Sequence, residues 1–230
     1  EGSTFLRGFE KFGLYIFRTT NYFISFRCGE IGQFGKGGHS HNDQLSFTFN
    51  YGGKDFIVDP GTYCYTLSVD ARNKFRSVTL HNTLVVAGKE QNLWRTNNLD
   101  DLFWISEHRT KSKLIQIDTR LIAGEHYAYS RPHRRIFSFE QNKILAEDIL
   151  GIDGVKYLYF HLHPDVVAEI QGNIVYLTNG NIKVSLVFEN TTIEIEEYEY
   201  SPQYGLLVNA KCIVYISWNK EIHWRFELDV

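Results

Sequence analysis

The sequence predicts an all-β fold, an antiparallel two-sheet sandwich with little helix. Three observations lead there. Hydrophobicity repeats with a period of two along almost every segment, which in extended chain puts alternate side chains on one buried face. Aromatic residues make up 15% of the chain, with 17 Phe, 14 Tyr and 4 Trp, and such side chains suit a pleated, half-buried surface. Glycine-bearing turn signals separate these short segments at the spacing sandwiches use.

Taken in order, residues 1–40 are the least regular part, with Gly29, Gly32, Gly35, Gly37 and Gly38 crowded at its end. This is not a phosphate loop, because no Lys-Ser/Thr ending follows and the next segment has a strand pattern. Glycines there suit a backbone that passes close to another group at the rim of a site. Residues 45–51 (Leu-Ser-Phe-Thr-Phe-Asn-Tyr) alternate as a half-buried strand, and Gly52-Gly53 turns the chain. Residues 56–63 read as an apolar strand closed by Asp59-Pro60-Gly61, and residues 80–86 as another apolar strand with His81 at its mouth. Between them, residues 68–76 are polar and charged and form the one stretch expected to be helical. Strand alternation returns at 114–118, 136–139, 157–163 and 193–196, with turns at 151–154, 171–173 and 179–181. No linker, repeat or low-complexity tract interrupts the chain. Residues 1–230 are therefore expected to form one all-β unit.

Composition excludes several function classes. A net charge of −3, from 24 basic and 27 acidic residues, argues against a nucleic-acid binder. No apolar run approaches the roughly 20 residues a helical membrane span needs. The 43% apolar content is enough for a sizeable core. Three dispersed cysteines, Cys28, Cys64 and Cys212, have neither disulfide-framework nor zinc-finger spacing. The chain has no methionine, even at position 1, which suggests that it is part of something longer.

The residues that carry chemistry follow the glycines. In Gly38-His39-Ser40-His41-Asn42-Asp43, extended backbone would turn His39, His41 and Asp43 to one face. Two imidazoles and a carboxylate together suit a metal or a proton-transfer site, and equally a hydrogen-bonded polar patch at a strand start. Asp59 closes its strand at a forced turn, where a turn cap is the commonest role. His81 reads as an edge histidine or a ligand. His41, Asp59 and His81 together would make a zinc-type set of two histidines and one aspartate.

Three stretches in this order resemble one family: Gly-Gly-His-Ser-His-Asn-Asp at 37–43, Val-Asp-Pro-Gly-Thr-Tyr-Cys-Tyr at 58–65 and His-Asn-Thr-Leu-Val-Val at 81–86. They resemble the C-terminal domain of heparinase II/III-like polysaccharide lyases, sharply from about Gly29 to Gln91 and weakly to the end of the sandwich. The resemblance implies a β-sandwich of the supersandwich type that joins an N-terminal helical toroid, absent from this chain, with acidic polysaccharide bound in the cleft between them. It implies that His41, Asp59 and His81 bind zinc and that His39 is a catalytic-site histidine. It also implies a β-elimination, in which a base removes the C5 proton of a uronate and the C4–O bond breaks, in a periplasmic or secreted setting. Tyr63 or Tyr65 could offer a phenol at the rim, and Arg72 and Arg76 could pair with uronate carboxylates or be solvated surface. The family's main catalytic tyrosine sits in the toroid, so these 230 residues alone are expected to be inactive.

Other motifs have simpler readings. His161 and His163 alternate with apolar residues as one sheet face, and Arg131, His133, Arg134 and Arg135 read as a solvated strand edge. Glu194, Glu196, Glu197 and Glu199 suggest an exposed strand face, and Trp94 a loop anchor or a sugar platform. The competing function is a non-catalytic carbohydrate-binding or structural module that keeps the metal site. A cupin-like metal oxygenase is a third option, but the contexts of Asp59 and His81 do not suggest its open-sided ligand set.

Overall fold

A computed structural model describes residues 5–95 and 102–228. Among the described residues, seventeen strands and one α-helix follow one another. A five-stranded sheet holds β1 (Phe5–Phe9), β2 (Leu14–Arg18), β3 (Tyr22–Arg27), β4 (Phe47–Tyr51) and β5 (Lys54–Ile57) in sequence order. Helix α1 (Val69–Arg76) and the short strand β6 (Leu84–Val86) come next. The remaining strands are β7 (Lys113–Ile117), β8 (Leu121–His126), β9 (His133–Phe139), β10 (Lys143–Leu150), β11 (Lys156–His161), β12 (Val167–Gln171), β13 (Ile174–Asn179), β14 (Ile182–Phe188), β15 (Ile193–Tyr200), β16 (Val208–Ser217) and β17 (Glu221–Leu228). Eight of the strands pair in the order β12-β13-β14-β17-β10-β9-β8-β7, and four in the order β15-β16-β11-β6. Neighbouring strands in these ladders run antiparallel, as the alternating sequence implied.

The sandwich is built from these three sheets. Its five- and four-stranded members are stitched together where Val58 N–H donates to the His161 carbonyl at 2.9 Å and Ile57 bridges Leu162. Facing them lies the eight-stranded sheet, and rings from both sides fill the space between. Phe47 stacks on Trp224 at 5.4 Å, Phe49 on Phe226 at 4.5 Å and Phe188 on Tyr215 at 4.4 Å, while Phe160 meets Trp224 edge-on at 4.9 Å. One contiguous apolar cluster therefore runs through all three sheets. Such ring pairs add about 0.5–1.5 kcal/mol each beyond the area they bury.

Helix α1 is the one stretch where periodicity changes. Ser68 caps it, its hydroxyl accepting from Ala71 N–H at 3.2 Å, with Asp70 in the first turn and Lys74 and Arg76 in the last, as the helix dipole favours. Arg72, Phe75 and Arg76, three and four residues apart, form its buried face. The expected acidic face lies on β15, an edge strand, where Glu199 pairs with Lys74 of the helix at 2.6 Å.

The basic cluster in β9 is not a solvated edge. β9 lies between β8 and β10, inside the widest sheet, so alternate residues point into the core. His133 and Arg135 are fully buried and only Arg134 faces outward, onto Glu125. What makes this burial tolerable is Asp148, also buried. It accepts two bonds from Arg135 (Nε 2.8 Å, Nη2 3.0 Å), one from Trp224 Nε1 at 2.9 Å, and faces His133 Nε2 at 2.7 Å. His133 Nδ1 in turn meets His126 Nε2 at 3.1 Å. Burial pushes the Asp148 carboxyl up, but the Arg135 charge and the His133 contact outweigh it and hold its pKa at about 2.

Three buried histidines give a pH prediction. Burial pushes the pKa of His126, His133 and His161 below the usual imidazole value, that of His161 to about 3. They stay neutral in the folded chain but take up protons once unfolded. Their contribution to stability is therefore full above about pH 6.5 and is lost as pH drops below it. Asp148 adds its own loss only at lower pH, between its ordinary pKa and about 2. Urea unfolding followed by tryptophan fluorescence from about pH 8 to about pH 5 tests this, and a flat profile across that range would refute it.

Candidate functional site

The site is built at one end of the sandwich, where four loop segments converge. They are residues 37–46 before β4, 58–65 after β5, α1 with the turn leading to His81, and residues 87–95 and 102–108. Residues 37–46 do not form the extended run expected from the His-x-His spacing. The chain turns there, and Leu45 takes a left-handed backbone (φ 62°). His39, His41 and Asp43 consequently diverge. Exposed His39 meets the Tyr65 ring at 5.1 Å and Phe103 at 5.7 Å, whereas His41 turns inward to His81, with ring centroids 5.2 Å apart. Asp43 faces Arg27 at 3.6 Å.

Buried amides hold this loop in shape. Asn42, fully buried, donates to Glu90 Oε2 at 2.6 Å and to the Asn92 carbonyl at 3.0 Å, while its side-chain oxygen accepts from Asn92 N–H at 2.9 Å. Gln44 N–H donates to Gln91 Oε1 at 2.9 Å. Glu90 also takes the Ser77 hydroxyl at 2.5 Å and Val78 N–H at 2.9 Å, and so ties the segment before His81 to the same point.

His41, Asp59 and His81 come together, but with different roles in the packing. His81 is fully buried and its Nδ1 lies 2.9 Å from Asp59 Oδ2, while Asp59 Oδ1 accepts from Gly61 N–H at 2.9 Å. The Asp59 side chain is 46% exposed, a carboxylate at the mouth with a histidine behind it. Burial works to raise its pKa, yet the His81 charge and hydrogen bond prevail and hold it at about 2. For His81, burial works to lower the pKa, and the Asp59 charge outweighs it, so the net shift is upward. Burial, reinforced by His81, pushes His41 the other way, well below the ordinary imidazole value. The His41 Nε2 atom lies 2.8 Å from Arg72 Nη1.

The donor set suits zinc, which takes imidazole nitrogens and carboxylate oxygens. His81 Nε2 is buried with no partner among the described residues, the kind of orphaned atom a bound group would satisfy. His81 Nδ1 is engaged by Asp59 Oδ2 at 2.9 Å, so Nε2 is the nitrogen His81 would offer, and ligand atoms of His41, Asp59 and His81 do not all lie within 4.8 Å of one another. Among the described residues, three potential ligand atoms lie within 4.8 Å of one another at Glu147, Glu221 and His223, on the solvent face of β10 and β17.

The two arginines are not on the surface, and neither guanidinium is open to a uronate. Both are fully buried, because α1 turns their side of the helix inward. Arg72 contacts His41, reaches toward the Gly38 carbonyl at 3.4 Å, and lies 5.2 Å from the Tyr65 ring centre. Arg76 donates to Asn73 Oδ1 (2.6 and 3.0 Å) and to the Leu102 carbonyl (3.1 Å), and its guanidinium lies 4.3 Å from the Trp94 ring centre. Trp94 is thus a loop anchor. The two candidate tyrosines also differ. Tyr65 is the one against His39, while the Tyr63 ring packs on Phe75 at 5.6 Å, from a left-handed backbone (φ 60°) that strains a non-glycine residue.

Beside the site, Asn82 and Tyr204 were not singled out in the sequence, and Arg135 was read there as a solvated edge. Asn82 donates to the carbonyls of Phe47 and Val58 (2.9 and 2.8 Å), and its oxygen accepts from His161 N–H at 2.7 Å and faces His161 Nδ1 at 3.0 Å. His161 is therefore a positioning partner rather than part of a second His-x-His site. Arg135 Nη1 donates to the carbonyls of Leu45 and Asn82 (2.8 and 2.7 Å), linking the core ion pair to the backbone beside His81. Tyr204, 64% exposed, lies 6.0 Å from Tyr65. The signal for Asn82 was present in His-Asn-Thr, since an amide inside an apolar strand must find partners.

Comparison with known proteins adds a family. Residues 2–224 match the family model described as heparinase II/III-like, C-terminal. No match is found among curated proteins. Among solved structures, the chain is similar to heparan sulfate lyase HepC from Pedobacter heparinus, with a TM-score of 0.77 at 18% identity, covering 98% of this chain and 36% of that one. It is also similar to a heparinase III structure, with a TM-score of 0.75 at 16% identity, covering 96% of this chain and 36% of that one. The chain thus spans little more than a third of either.

Proposed function

Because this chain belongs to the C-terminal domain family of heparinase II/III-like polysaccharide lyases, we propose that it forms the sandwich wall of a cleft in which an acidic, uronate-containing polysaccharide is cleaved by β-elimination. The observation that supports this best is the pairing of exposed His39 with Tyr65, at 5.1 Å, on the loop that also brings His41 to the His81–Asp59 pair. The reaction needs a base to take the C5 proton, stabilisation of the enolate-like dianion that results, and an acid for the departing C4 oxygen. His39 supplies an exposed imidazole, and Tyr65 a phenol against it; Tyr63, turned toward the helix, is the second choice. The remaining acid–base and carboxylate-neutralising groups come from the rest of the protein. Arg72 and Arg76, from inside, serve substrate indirectly: Arg72 supports His41 and Tyr65, and Arg76 holds the loop carrying Leu102.

His41, Asp59 and His81 would hold zinc, which when bound ties the three loops together near the cleft. About one zinc per chain is expected by metal analysis of purified protein, lost in His81→Ala and in His41→Ala. Zinc-free protein, prepared without chelator and unable to take up added zinc, would exclude this site.

The function is tested on the protein that contains this chain together with its N-terminal partner domain. Incubated with heparan sulfate, other glycosaminoglycans and alginate, it is expected to release ultraviolet-absorbing unsaturated uronate from at least one of them. No such product across the panel, with oligosaccharide binding intact, would point to the non-catalytic carbohydrate-binding module instead.

A further inference from the structure

The turn joining β15 to β16 is pinned onto the loop that follows Asp59. Ser201 N–H donates to the Pro60 carbonyl and Gly205 N–H to the Tyr63 carbonyl, both at 2.8 Å, and the Ser201 hydroxyl closes the turn on Gln203. Gly61 makes this approach possible. A Cβ at this residue would stand 2.2 Å from the Ser201 carbonyl oxygen, and its φ of 87° is one that glycine adopts freely. These contacts fix where Tyr204 stands.

Tyr204 extends a row of rings beside His39. Its ring lies 6.0 Å from Tyr65 at 31°, and Tyr65 lies 6.0 Å from Phe103 at 34°. His39 packs edge-on against Tyr65 and Phe103. Buried Arg72 braces Tyr65 from within. Tyr204 is 64% exposed, and its hydroxyl makes no hydrogen bond among the described residues. Single exposed aromatics such as Phe34 and Trp218 are unremarkable on any protein. An exposed tyrosine on a turn held by backbone bonds, sharing Tyr65 as a neighbour with a candidate catalytic histidine, is a different matter.

We infer that Tyr204, with Tyr65 and Phe103, is a stacking subsite for a pyranose ring of the glycan chain next to the unit at His39. The ligand class follows from the chemistry. A pyranose presents an apolar face of C–H groups that packs on an aromatic ring, and hydroxyls at its rim that a phenol can hydrogen-bond. The inference rests on the glycan-cleft reading above and adds to it a residue that contributes affinity rather than proton transfer.

The test is an NMR titration of the 230-residue chain with a heparan-derived hexasaccharide, following the tyrosine ring resonances. Tyr204→Ala is expected to weaken binding about tenfold, the loss of one ring contact, while Tyr204→Phe stays within about twofold. Unchanged affinity in Tyr204→Ala, or a wild type whose tyrosine resonances do not move at saturating sugar, overturns the subsite. The two readings fail separately. In the protein with its partner domain, product formed with the same KM in Tyr204→Ala sinks only the subsite, whereas Tyr204-dependent binding without unsaturated product sinks only the lyase.

Discussion

Arg135→Ala is expected to lower the free energy of unfolding by about 3–5 kcal/mol, more than any other single substitution in the described core ion pairs. Arg135 and Asp148 are both fully buried, so removing the guanidinium leaves a carboxylate in the core with only Trp224 and His133 as partners. It also strips the carbonyls of Leu45 and Asn82 of a shared donor. Both are unpaired buried groups of the kind that cost most. The pair as a whole need not be stabilising relative to an apolar replacement, so the larger loss belongs to breaking it by half. Replacing Arg135 by Met and Asp148 by Leu together is therefore expected to recover part of the stability lost in Arg135→Ala. Urea denaturation gives both values, and a loss below about 1 kcal/mol for Arg135→Ala would contradict the pair's role. Zinc affinity should fall in the same variant, because Asn82 stands next to His81. A structural defect confined to the far side of the core would not produce that second effect.

How much of this was legible in the sequence depended on whether the signal was local. Period-two alternation marks strands wherever one face is buried, so β4, β7, β9 and β15 were visible, as was the capped helix after Ser68. The helix-buried arginines were not, because charge predicts exposure unless the partners are known, and the partners of Arg76 beyond its own helix, Leu102 and Trp94, are loop residues. The same blindness hid the burial of the basic residues in β9. His133-Arg134-Arg135 looks like an exposed edge until Asp148, thirteen residues on, supplies the counter-charge. His41, Asp59 and His81 were legible because each sits in a motif with its own local logic, a glycine-rich loop, a forced turn and a strand mouth. Tyr204 was not, since nothing in its neighbours announces that Gly61 brings the 201–205 turn to the site. Register and loop docking decide that, and both are tertiary.

In the protein with its partner domain, His39→Ala is expected to reduce kcat/KM by about 10²–10⁴-fold while leaving the fold and the metal in place. The expectation follows from how differently the two histidines of His-x-His are held. His41 is turned inward, next to His81 and Arg72, and its loss disturbs the loop core. His39 is exposed and, among the described residues, its ring contacts are with Tyr65 and Phe103, so its removal deletes an imidazole without opening a cavity. Thermal unfolding and zinc content of His39→Ala should therefore match the wild type within error, whereas His41→Ala should lose zinc. A catalytic loss without a structural one is what separates a proton-transferring or substrate-polarising residue from a packing residue. If His39→Ala retained activity within about threefold of wild type, the role would pass to Tyr65, the other ionisable group on the same face. Tyr65→Phe would then be the variant to lose turnover, and because Tyr65 also belongs to the ring row, its phenylalanine form keeps the stacking surface and isolates the hydroxyl.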